Sequence, residues 1–72
     1  MTELRFTAIY EKAEEGGYIA YVAELPGANT QGETLEEARE NLKEALELVI
    51  EANRALAEEA VKGQEIIREQ IV

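Results

Sequence analysis

Glutamates are the side chains of this chain with the greatest capacity for chemistry. All sixteen acidic residues are Glu, and the sequence contains no His, Cys, Ser, Asp or Trp. A Ser or Cys nucleophile with a histidine base therefore cannot be assembled, and a zinc site without His or Cys ligands is disfavoured. A carboxylate- or metal-dependent enzyme using Glu14, Glu15 or Glu24 stays open as a hypothesis. The residue types favour a protein with no catalytic activity and no cofactor.

Charge and hydropathy restrict the partners of this chain. The formal net charge is −9, and the seven basic residues are scattered along the sequence. Binding to nucleic acid requires a positive patch, so the sequence instead indicates a basic protein partner. No apolar run is long enough to span a membrane, and residues 1–5 contain no signal-peptide hydrophobic region. We expect a cytoplasmic location.

The length of 72 residues predicts a single domain over residues 1–72 with a thin core. Disulfides cannot supplement that core, because the sequence has no cysteine. Association with a partner or with further copies is then the usual source of added stability. We expect a homo-oligomer, either a dimer or a tetramer.

Alternation of apolar and polar residues predicts three strands in the first half of the chain. The predicted strands are residues 4–11, 18–25 and 28–31. Gly16 and Gly17 suit a hairpin turn between the first two, and Pro26-Gly27 must end the second. Apolar side chains on both faces of the second strand predict a central strand covered on both sides. The first half of the chain is therefore predicted to form an antiparallel meander with a short polar edge strand.

A long helix is predicted over residues 35–62. Thr34 and Glu37 have the spacing of a capping box, in which the Thr34 hydroxyl accepts the Glu37 N–H and the Glu37 carboxylate accepts the Thr34 N–H. Apolar residues then recur at steps of three and four, and Lys62-Gly63 is a typical helix end.

Such a helix is roughly 40 Å long, which exceeds the width of a domain of this size. Either it breaks at Asn53, a polar interruption of the apolar stripe, or its second half packs against another subunit. Leu48, Ala52 and Ala55 lie off the main stripe and are the candidate oligomer contacts.

Residues 64–72 are rich in β-branched side chains and predict a fourth strand. A right-handed crossover from the third strand through the helix puts it parallel to the first strand, in the order 3-2-1-4. The predicted fold is α+β, with the element order β-β-β-α-β and one long helix on one face of the sheet. This order is like a truncated ribonuclease H-like fold.

Residues 10–45 contain a series of short motifs. A hairpin ends in Gly17-Tyr18, a strand ends in Leu25-Pro26-Gly27, and Thr30-Gln31-Gly32-Glu33-Thr34 leads into a Glu-Glu-Ala helix start. This pattern resembles the HicB-like antitoxins in their short, single-domain form. The signature that the resemblance implies falls on Gly17, Tyr18, Leu25, Pro26, Gly27, Gln31, Gly32 and Thr34.

The resemblance implies that the chain neutralises a small basic HicA-like ribonuclease toxin by binding it. Tyr18, Tyr21 and Asn29 are the candidate partner contacts, although the tyrosines also suit a core position. Many HicB-like proteins carry a further DNA-binding domain, for which these 72 residues leave no room, so we expect no direct nucleic-acid binding by this chain alone. The alternative is an orphan structural or regulatory homo-oligomer with no toxin.

Overall fold

The computed structural model describes residues 5–71 as a three-stranded antiparallel sheet with one long helix. The elements are β1 (Ala8–Lys12), β2 (Tyr18–Val22), β3 (Asn29–Gly32) and α1 (Leu35–Ala60), and the strand order is β1-β2-β3. The predicted α+β class and meander are confirmed. The strand β1 begins at Ala8, later than predicted, although the Thr7 carbonyl still accepts the Ala23 N–H at 2.8 Å. Leu4, the predicted first residue of that strand, lies outside the described residues.

Glycines allow both tight connections of the sheet. Gly16 and Gly17 have φ values of 101° and 77°, and the Ala13 N–H donates to the Gly17 carbonyl at 3.0 Å. In the second connection the Ala28 N–H donates to the Leu25 carbonyl at 3.2 Å, with Gly27 at φ 97°. Proline followed by a glycine of positive φ is the typical composition of a type II turn.

The helix α1 begins with the predicted N-cap. The Glu37 N–H donates to the Thr34 hydroxyl at 3.0 Å, as expected. The returning bond differs, because the Glu37 carboxylate accepts the N–H of Glu33 at 3.3 Å and not that of Thr34. The cap therefore also holds Glu33, the first residue of the β3–α1 connection, in place.

The core lies between α1 and one face of the sheet. Its buried residues are Ala20, Val22, Ala28, Ala38 and Leu42. Tyr10, Tyr18 and Leu25 pack against their edges. The prediction that β2 is covered on both sides is wrong, because the single helix covers only the face that carries Ala20 and Val22.

The helix is continuous through Asn53, so the predicted alternative of a break is not found. Residues 51–60 are all exposed, and the molecule measures 51 × 31 × 16 Å. Its radius of gyration is 15.7 Å, whereas a compact domain of this length has a value of about 11 Å. The second half of α1 extends beyond the sheet.

The predicted fourth strand is not formed in residues 64–71, which are irregular. Val72, the last residue of that prediction, lies outside the described residues. Within the described part, the 3-2-1 portion of the order is present without a fourth member, and the ribonuclease H-like comparison is not confirmed. The physical reason is the length of α1, which carries the following segment well past the sheet before it can turn back.

Candidate protein-binding surface

The face of the sheet opposite α1 is uncovered in the described structure. Side chains alternate between the two faces of a strand, so the odd-numbered residues point away from the helix. We call this surface the outer sheet face; its residues are Ile9, Glu11, Ile19, Tyr21, Asn29 and Gln31. An apolar centre with polar residues at its margin is the usual composition of a protein interface.

The register places these residues in two rows. Ile9 pairs with Tyr21, and Tyr21 pairs with Asn29. In the second row Ile19 lies between Glu11 and Gln31 and is 47% exposed. The rows bring a tyrosine and two isoleucines together on a surface that water otherwise covers, which is an arrangement suited to binding.

Tyr21 carries the polar contact at the centre of this face. Its pKa is raised, first by a hydrogen bond with the Glu11 side chain and then by desolvation and the negative charge of Glu11. The phenol therefore stays protonated across the physiological range, and its O–H donates to Glu11. The Glu11 carboxylate beside it is an acceptor, which suits recognition of a cationic side chain.

The structure separates the three candidate partner contacts. Tyr21 and Asn29 are direct cross-strand neighbours on the outer sheet face. Tyr18 lies on the helix-covered face and packs against the core. Sequence reasoning missed Ile9 and Ile19. Alternation along β2 already puts Ile19 on the face of Tyr21, whereas the position of Ile9 depends on the pairing of β1 with β2.

The signature residues are mostly explained by folding. A Cβ on Gly17 would lie 2.6 Å from the Gly32 carbonyl oxygen, and a Cβ on Gly32 would lie 2.6 Å from the Ala38 nitrogen. The Gln31 carbonyl accepts the Asn41 side-chain amide at 2.9 Å. Gly17 therefore sets the approach of the β1–β2 hairpin to the end of β3, and Gly32 sets the distance between β3 and α1. The Gln31 side chain lies on the outer sheet face.

The carboxylates considered for catalysis lie in two places. Glu14 and Glu15 line an open cavity of about 740 Å³ at the β1–β2 hairpin, whose other members include Glu33 and Glu37. Glu24 lies in the β2–β3 connection. Among residues 5–71, no three acidic side chains are grouped closely enough to hold a metal ion.

Glu24 joins the β2–β3 connection to the chain before β1. Its carboxylate accepts the Thr7 N–H and the Thr7 hydroxyl, both at 2.6 Å. These hydrogen bonds, the hydroxyl first, lower the pKa of Glu24 below its ordinary value of 4.5. Because the pKa is lower in the folded state, the bonds stabilise the fold above about pH 4.5 and are lost as the pH falls through the folded value.

We expect Glu24→Gln to reduce the dependence of the free energy of unfolding on pH in the acid range. Wild-type protein should lose more stability below pH 4.5 than the variant does, because only the wild type must protonate this carboxylate. The measurement is the urea midpoint at a series of pH values. Glu15→Gln, at the exposed hairpin, is the control for the change in net charge. Parallel profiles for wild type and Glu24→Gln would contradict the assignment.

A second depression lies between the outer edge of β1 and α1, with a volume of about 240 Å³. We call it the β1–α1 groove. Its lining is apolar except for two cations on the helix, and consists of Phe6, Ala8, Tyr10, Val22, Arg39, Leu42, Lys43 and Leu46. The Arg39 guanidinium lies 5.9 Å from the centre of the Tyr10 ring, within the range of a cation–π contact.

Comparison with known proteins gives a consistent result. The profile of a family described as UPF0150-like matches residues 6–57. A UPF0150 protein of Synechocystis sp. is 49% identical over 61 residues, covering 78% of this chain and 85% of the relative. One from Archaeoglobus fulgidus is 34% identical over 64 residues, covering 89% and 93%. No solved structure matches. Within residues 5–71, no helix has both the length and the apolar character needed to cross a membrane.

Proposed function

Because this chain belongs to the UPF0150 family, we propose that it is an antitoxin-like module that binds and neutralises a small basic HicA-like ribonuclease toxin. The observation that carries the proposal is the uncovered outer sheet face. The HicB-like motifs over residues 10–45 supply the class of partner. No catalysis by this chain is part of the proposal.

The outer sheet face has the composition expected of a binding surface. Ile9, Ile19 and Tyr21 form its apolar centre, and tyrosine is among the residue types enriched in binding hot spots. Glu11, opposite Ile19, supplies negative charge beside that centre. A basic partner would meet an apolar contact surrounded by acceptors, while the net charge of −9 would speed the encounter.

The test begins from a reading frame adjacent to the gene that encodes a short basic protein with one candidate catalytic histidine. That protein is expressed alone and together with this chain. The proposal expects growth arrest and RNA cleavage with the first protein alone, and release from both when the two are present. An equimolar complex should be recovered by size-exclusion chromatography. Absence of any complex with such a neighbour would overturn the proposal.

We expect Tyr21→Ala to weaken toxin binding by about tenfold or more, because it removes an aromatic contact from the centre of the surface. Tyr21 is on the uncovered face, so the melting temperature should change little. Tyr18→Ala is the matched control, since Tyr18 packs against the core and its removal should lower the melting temperature. Calorimetric titration measures the first effect and thermal unfolding the second. Unchanged affinity in Tyr21→Ala would exclude the outer sheet face.

The alternative function is a structural or regulatory homo-oligomer with no toxin. The exposed second half of α1 favours it, because Leu48 and Leu56 are 62% and 69% exposed. This alternative expects a stable oligomer together with no effect of the chain on the growth or RNA of cells that express the neighbouring protein. The two functions are therefore separated by the same co-expression experiment.

A further inference from the structure

The outer edge of β1 is available for pairing. The Thr7 carbonyl accepts from Ala23, and Ala13 donates to the Gly17 carbonyl, so the odd-numbered residues of this strand bond to β2. In an antiparallel ladder the alternate residues point the opposite way. The backbone groups of Ala8, Tyr10 and Lys12 therefore face outward, and within residues 5–71 no strand pairs with them.

The β1–α1 groove lies directly beside this edge. Phe6 at its mouth is 54% exposed, which leaves an aromatic ring half in water. The only charged residues in its lining are the cations Arg39 and Lys43, in a protein of net charge −9. The groove thus suits an extended segment with apolar side chains and one acidic side chain.

Residues 64–71 are called the post-helix segment. One face of this segment carries apolar side chains and one acidic side chain. In an extended segment Ile67, Glu69 and Ile71 share a face. The two isoleucines are 91% and 89% exposed, so nothing in the described structure covers this face.

The opposite face of the post-helix segment is already held by its own helix. Arg68 donates to both carboxylate oxygens of Glu58, at 2.5 and 2.8 Å. The segment therefore lies against α1 through Arg68. The face that carries Ile67, Glu69 and Ile71 remains available for contact with another molecule.

The post-helix segment is too short to fill the β1–α1 groove of its own chain. The exposed residues 51–60 add about 15 Å of helix beyond the packed part. The eight residues of the post-helix segment span at most about 26 Å when extended. To return to the sheet, the segment must first run back along those roughly 15 Å of helix, which uses more than half of its length. Roughly 11 Å, or about three residues, then remain to pair with β1, which has five residues.

The post-helix segment can reach the β1–α1 groove of a second copy of the chain. In an antiparallel pair of helices related by a two-fold near Ala52, residues 58–62 of one copy lie level with residues 42–46 of the other. The helix end and post-helix segment of each copy then reach the groove of its partner. The same arrangement puts Leu48, Ala52 and Ala55, the predicted oligomer contacts, close to the two-fold axis.

We propose that two copies of this chain dimerise by placing the post-helix segment of each copy in the β1–α1 groove of the other, beside the free edge of β1. Ile67 and Ile71 enter the apolar lining, and Glu69 meets Arg39 and Lys43. The dimer is isologous, so both grooves are filled. This inference goes beyond the proposed function, because the outer sheet face remains open in the dimer.

The first test is the mass in solution, measured by light scattering coupled to size-exclusion chromatography. Wild-type protein should have twice the chain mass of 8.0 kDa. The double variant Ile67→Glu, Ile71→Glu should have the mass of one chain and keep its helical circular dichroism. Ile19→Glu, on the outer sheet face, is the matched control and should remain a dimer. A monomeric wild type, or a dimeric double variant, overturns the proposal.

The second test distinguishes exchange between copies from docking within one. Ala8→Arg places a long cation in the groove and leaves the post-helix segment intact, whereas the double variant has an intact groove. Each alone should be monomeric. In a mixture, one intact segment can enter one intact groove, so heterodimers should form at least tenfold more tightly than either homodimer, as measured by native mass spectrometry. No gain on mixing overturns the exchange.

Failure of dimerisation and failure of the proposed function give different results. The double variant should still bind the toxin, because its outer sheet face is unchanged. Ile19→Glu should lose toxin binding and still form the dimer.

Discussion

Replacing Gly32 with alanine is expected to lower the free energy of unfolding by roughly 2–4 kcal/mol, a large part of the roughly 4–11 kcal/mol typical of a domain this size. The added Cβ would lie 2.6 Å from the backbone nitrogen of Ala38 and 2.9 Å from its Cα. Both atoms belong to the first turn of α1, so relief requires the helix to move away from β3. Urea unfolding followed by circular dichroism measures the loss.

Gly16→Ala is the matched control for this prediction. Gly16 has φ 101° and open space around its Cβ position, whereas Gly32 has no positive φ. The control should therefore cost about 1 kcal/mol, from backbone strain alone. If Gly16→Ala proves as destabilising as Gly32→Ala, close helix–strand packing is not the reason for glycine at position 32.

Leu42→Ala is expected to destabilise the fold by about 3 kcal/mol, within the range of 2–5 kcal/mol for a buried leucine. Leu42 is 4% exposed and is the largest side chain among the five buried core residues, three of which are alanines. The other four buried residues are three alanines and one valine, whose short side chains cannot extend into the cavity. The unfolding midpoint, at one fixed protein concentration, measures the effect.

Leu48→Ala controls for the loss of a leucine from the same helix. Leu48 is 62% exposed, so at a concentration too low for dimers its replacement should change stability by no more than about 0.5 kcal/mol. At higher concentration a larger effect is expected, since the overhanging half of α1 is then covered by the second copy. Equal losses for Leu42→Ala and Leu48→Ala in the dilute sample would contradict the position of the core.

Sequence reasoning predicted the features that depend on near neighbours in the chain. The turn at Pro26-Gly27 and the helix start at Thr34 follow from the dihedral preferences and hydrogen-bonding groups of a few adjacent residues. The hairpin at Gly16-Gly17 is of the same kind. These choices need no information about distant parts of the molecule.

The errors concern which surfaces are covered. The apolar residues on both faces of β2 predicted cover on both sides, yet Ile19 faces water because the one helix within residues 5–71 packs on the other face. Likewise, the three tyrosines look alike in the sequence, and only the side on which α1 packs decides that Tyr18 belongs to the core and Tyr21 to the surface.

The turns, the N-cap, the helix and the antiparallel meander could be predicted from the sequence, because each depends on local backbone energetics and on alternation. The packing of distant elements was needed to show that residues 64–71 form no strand and that nothing within residues 5–71 pairs with the outer edge of β1. The β-branched composition of that segment favours extended backbone, but a strand needs a neighbour within hydrogen-bonding distance. The second half of α1 extends beyond the sheet and so separates residues 64–71 from β1, the strand with which they would have to pair.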